Sequence, residues 1–173
     1  MLRSRSMVAV ARVIERADAG IPGDPGKTVI IVAAPSDALA AYTPIMRQSL
    51  GRPRPAHVYW LATATTAVTL ERVDATTLRV TPAGGFLRYE IDRMMRARPF
   101  AVGDSVELSG LTMTVEAITD DGRPRSALAQ FSRPVDAYTW LRWQGHSYVP
   151  YAPPAIGARE TLPAVEFLKL LED

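Results

Sequence analysis

After Pro55 the sequence changes period, and that change constrains the fold more than any other feature. Before it, apolar residues recur at helical spacing or in one continuous run. Beyond it they alternate in short segments separated by turn residues. His57–Thr63 sets Val58, Trp60 and Ala62 against Tyr59 and Leu61. Thr66–Val73 and Thr76–Thr81 read as a hairpin around Asp74-Ala75, with Val68 and Leu70 facing the same way as Leu78 and Val80. A turn at Gly103-Asp104 enters a strand, and Leu111, Met113 and Val115 alternate into the next. Asp120-Asp121-Gly122 turns that strand back through Ala127–Phe131, and Thr139–Trp143 and Ser147–Tyr151 flank Gly145-His146. Seven or eight short antiparallel strands of this kind build a sandwich or a partly open barrel.

The first 55 residues add helices. Residues 4–18 read as an amphipathic helix capped by Ser6, with Met7, Val10, Ile14 and Ala17 at helical spacing and arginines on the other faces. So narrow a stripe must be covered by the chain's own sheet, by a second chain or by an anionic membrane surface. The glycines and prolines of residues 19–26 end it. Thr28–Ala34 is continuously apolar, the pattern of a central strand buried on both faces. Ser36 or Asp37 then caps a short helix carrying Leu39 and Tyr42, and Thr43-Pro44 starts a second that runs to Leu50. Residues 87–98 have helical propensity around Ile91–Arg96, and Ala164–Leu171 reads as a last helix with Val165, Leu168 and Leu171 on its apolar side. The fold class is therefore α+β: an N-terminal helix and a strand–helix unit, followed by a mostly antiparallel sandwich or partly open barrel. The domain reading is a helix and linker over 1–26 and one β-rich domain over 27–173.

Composition removes several kinds of chemistry. The chain has no cysteine and two histidines, His57 and His146. That excludes thiolate catalysis and disulfides, and no metal site is expected. No motif calls for a cofactor. Twenty basic residues face eighteen acidic ones, too even a balance to point to nucleic acid. No stretch is long and apolar enough to span a membrane, so the chain reads as soluble.

Two groups of residues could carry function. Ser36 and Asp37 follow the central strand, where open α/β sheets place ligands, and His146 could serve Ser36 as a base in a small serine-type hydrolase. Against this, Ser36 has the sequence context of a helix cap, and Asp120-Asp121 that of a turn. The second group is Trp140, Arg142, Trp143 and Tyr148. Trp140 and Trp143 point to opposite faces of a strand, so one is expected in the core and the other nearer solvent. The exposed one, beside Arg142 and Tyr148, could stack on a sugar or a lipid head group.

Several segments together carry a resemblance. Thr28–Asp37, the Arg-Pro linker after Gly51, Tyr59-Trp60-Leu61-Ala62-Thr63 and Pro82-Ala83-Gly84-Gly85-Phe86 are among them. Val102–Leu108 and Leu141-Arg142-Trp143 complete the set. Taken in order, they resemble the soluble C-terminal region of uncharacterised bacterial multi-pass membrane proteins. The resemblance implies a membrane-associated family, on the cytoplasmic side if on either, with no established activity. It favours a non-catalytic binding or assembly module, whose partners would be a second copy or a membrane protein. The hydrolase and the carbohydrate or head-group binder are the alternatives.

Overall fold

A computed structural model describes residues 2–94 and 98–171, without the side chains of residues 2–7 and 91. The fold is α+β with an N-terminal helix, and its ten strands form two sheets, neither closed into a barrel among the described residues. The chain divides into two compact units. The first comprises Met1–Thr65, Tyr138–Ala152 and Ala164–Asp173; the second comprises Thr66–Ala137 and Pro153–Pro163.

The first unit is built on β1 (Thr28–Ala34), whose apolar run makes it the central strand. It lies between β2 (His57–Thr63) and β8 (Thr139–Gln144), and β9 (Ser147–Pro150) closes the far edge. Both neighbours of β1 run parallel to it, with Val29 opposite Val58 on one side and Thr139 on the other. These two are the parallel pairings in an otherwise antiparallel set of strands, which is mostly antiparallel as expected. A strand–helix–strand connection delivers β2 in the parallel direction, because α2 (Asp37–Ser49) returns the chain to the starting edge. Val29 and Ile31 pack into a core with Val13, Ala17, Ile21, Leu39, Leu141, Tyr148 and Leu170, while Ile30 and Val32 on the other face are also buried.

Three helical expectations need correction. First, α1 (Leu2–Ala19) buries Val13 and Ala17, but Val10 is exposed. The stripe that meets the core is displaced towards the end of the helix, and Met7 is among the side chains outside the description. Second, α2 is one helix and not two. Pro44 lies inside it, and the buried face of Leu39, Ala40, Thr43 and Arg47 holds it together across the missing amide hydrogen. Thr43 Oγ1 donates to Leu39 O at 2.7 Å, a local bond close to the site of the break. Third, the last helix is a short 3-10 segment, Phe167–Leu171, that buries Leu170 and leaves Leu168 74% exposed. Within residues 87–98, Glu90–Arg93 forms a single 3-10 turn, and Met95 and Arg96 lie outside the described residues. No helix among the described residues is long and apolar enough to cross a membrane.

The second unit is a six-stranded antiparallel sheet. Its strands are β3 (Val68–Arg72), β4 (Thr77–Pro82), β5 (Ser105–Leu108), β6 (Leu111–Ile118), β7 (Pro124–Phe131) and β10 (Arg159–Leu162). They lie in the order β10-β3-β4-β7-β6-β5. The expected hairpin is present, with Leu70 opposite Val80 and both fully buried. Across the polar face, Arg79 pairs with Glu71 at 3.0 Å and Glu116 at 2.7 Å, and Ser126 Oγ donates to Glu116 at 2.9 Å. Strand β10 arises within what reads as a proline-rich connection; four residues at a sheet edge leave little periodic signal.

Candidate functional site

Ser36 sits in extended conformation just before α2, and its Oγ accepts the Leu39 amide hydrogen at 3.1 Å. That is the N-cap arrangement. Asp37 is exposed in the first turn of the helix, where its charge suits the helix dipole. His146 is exposed in the turn from β8 to β9, beside Gly145 at φ 60. Since β1 and β8 are parallel, the turns after them leave the same edge of the sheet. Ser36 nonetheless makes no hydrogen bond to His146 among the described residues. Asp121 is also committed to its turn, held by Arg123 Nε at 2.6 Å and the Thr119 hydroxyl at 2.5 Å.

The aromatic group faces inward. Trp140 and Tyr148 are buried. Trp143 packs against the core, donates from Nε1 to Gly145 O at 3.0 Å, and meets the Tyr148 ring edge-on at 5.0 Å. Arg142 lies 5.9 Å over the Tyr151 ring and donates to Gln144 at 3.1 Å. Burial raises the Tyr148 hydroxyl well above the usual phenol range. The tryptophan nearest solvent is Trp60 on the edge strand β2, 38% exposed.

At the opposite edge of the sheet, where β2 begins, lies a cleft of about 260 Å³ between α2 and that strand. Ile21, Pro44, Pro55 and Val58 give it apolar walls, and Arg47, Arg54 and His57 give it polar ones. Arg47 is only 8% exposed. Its Nε donates to Pro53 O at 2.6 Å. Its Nη1 donates to Asp18 O at 3.0 Å, Asp18 Oδ1 at 2.9 Å and Ile21 O at 2.9 Å. Asp18, also buried, accepts in addition from Arg52 Nη1. One guanidinium thus ties the end of α1, the loop at Ile21 and the loop at Pro53 together. Among the described residues its Nη2 makes no hydrogen bond, and it lies beside Gly23.

Arg54 donates from Nη1 to Gln48 Oε1 at 3.0 Å, and His57 stacks on Tyr59 at 5.6 Å. Among the described residues, no acidic one lines the cleft. A fixed arginine with an unused donor, a second arginine and an imidazole over apolar walls can receive an anionic group attached to an apolar body. None of these residues stood out in the sequence as a site. The Arg52-Pro53-Arg54-Pro55 run is the one local sign, and it reads as a helix stop.

Among the described residues, no group of three or more histidines or carboxylates comes together as a metal site would require. The chain matches no protein-family model, no curated protein and no solved structure.

Proposed function

We propose that the chain is a non-catalytic binding module, and that the arginine-lined cleft of the first unit receives a small amphiphilic anion such as a carboxylate on an apolar group. The observation that carries this reading is Arg47, immobilised through Nε and Nη1 and, among the described residues, with no hydrogen bond from Nη2 and no acid beside it in the cleft lining. Preorganised guanidinium is costly to build and gains most when it meets a planar anion. The apolar walls favour an organic acid over a bare inorganic one.

Amide NMR titration with benzoate, inorganic phosphate and benzyl alcohol tests the proposal. Benzoate should shift the signals of Arg54, His57 and Val58, with phosphate weaker and benzyl alcohol weaker still. Arg54→Ala should lower benzoate affinity about tenfold, the worth of one charge-assisted hydrogen bond. Equal responses to benzoate and benzyl alcohol, or none to either, would overturn it.

A further inference from the structure

The six-stranded sheet of the second unit ends in two edges of different chemistry. Strand β10 carries Arg159 and Glu160 and is followed at once by Pro163, and charge and proline are devices that blunt an edge. Strand β5 has no proline and no lysine, and all four of its residues are exposed. Two apolar rows of the sheet run out to it. Leu78, Ala129 and Met113 lead to Val106, and Phe131 and Leu111 lead to Leu108. Leu78, Ala129, Phe131 and Leu111 are buried, whereas Val106 is 58% exposed and Leu108 42%.

The backbone of β5 alternates in direction. Asp104 O accepts from Val115 N at 2.8 Å, and the turn at Ser109-Gly110 sets Leu108 opposite Leu111. Val106 and Leu108 therefore bond inward to β6, and the amides and carbonyls of Ser105 and Glu107 point away from the sheet. Among the described residues nothing bonds to them on that side. An edge of this kind is matched by another strand.

We propose that β5 pairs with β5 of a second copy, antiparallel about a twofold axis at Val106, so that the two sheets become one. Opposed residues share a face, so the axis must fall on a residue. At Val106 it sets the two valines together on the apolar face, and Ser105 and Glu107 exchange both amide bonds with the partner's Glu107 and Ser105. All the outward groups of both strands are then used, and each carboxylate meets a hydroxyl. An axis at Glu107 would oppose like charges. An axis at Ser105 would bring Glu107 to the partner's Gly103, whose amide hydrogen already goes to Val115 O. So short a strand makes a small contact, and the dimer should dissociate on the order of 100 μM.

Sedimentation velocity of the full chain from micromolar to millimolar concentration should show a monomer–dimer equilibrium. Glu107→Pro removes an outward amide hydrogen and spares the bonds to β6, so it should abolish the dimer with an unchanged circular dichroism spectrum. Val106→Lys is the second variant should that one misfold. Ser105→Lys faces the partner's Glu107 twice and should tighten the dimer about fivefold, and Ser105→Glu should weaken it to a similar extent. The chain has no cysteine, so Val106→Cys places a single thiol at the axis, where oxidation with diamide should link the dimer well before it links Val102→Cys. Monomer at every concentration, a dimer that survives Glu107→Pro, no tightening by Ser105→Lys, or equal linkage of the two thiol variants would overturn the proposal.

Discussion

Arg47 illustrates what a buried cation must find around it. Its charge is met by Asp18, and three carbonyls from separate segments take up its remaining bound hydrogens. Nothing near Arg47 in sequence announces this, because Asp18 and Ile21 are more than twenty residues away. Ser36, in contrast, was legible as a cap because capping is a contact over three residues. Tyr148 is the opposite case to Arg47: its hydroxyl is buried with no hydrogen-bond partner among the described residues. Leaving a polar group in that state costs stability. Tyr148→Phe should therefore stabilise the protein by about 1 kcal/mol while the ring packing is kept, read as a higher urea midpoint with an unchanged slope. A lower midpoint would mean that the hydroxyl has a partner in solution.

Among the elements, α1 and β9 approach closely where Gly20 ends the helix. A Cβ at Gly20 would lie 2.9 Å from Tyr148 N and Cβ, and closer still to the Tyr148 carbonyl oxygen. Backbone cannot yield as a flexible side chain can. Gly20→Ala should cost about 1–3 kcal/mol through overpacking, measured by chemical denaturation; a neutral result would mean that α1 can withdraw freely. The proline rule that divided α2 at Pro44 failed because it weighs one lost bond and not the four buried residues that keep the helix in place. For the hairpin, period-two alternation alone was enough, since Val68, Leu70, Leu78 and Val80 meet on one buried face.

For the molecule as a whole, acid sensitivity should come from the second unit. Arg79 and Ser126 hold the Glu116 carboxyl below its usual range, Arg72 does so for Asp136, and the Thr76 amide does so for Asp74. Arg123 and Thr119 bring Asp121 down to about 2. The unfolded chain takes up protons at these sites before the folded one does. Their stabilisation is therefore complete above the ordinary carboxylate range, about pH 4–4.5, and is lost as pH falls through the lower folded values. Urea midpoints should be level above about pH 5 and decline below it, with a shallower decline in Glu116→Gln. An identical pH profile for that variant would remove Glu116 from the account. The parallel pairing of β1 with β2 and β8 was beyond local reading, since no short window records which distant strand a residue will meet. Its partner Thr139 comes about 110 residues after Val29. During synthesis at about 5–20 residues per second, β1 therefore waits on the order of 5–20 s for its second neighbour. In that interval the ribosome delivers residues 66–137 without interruption, and with them five of the six strands of the other sheet. The inserted unit can close while its host is still open, and the segment made first is among the last to be completed.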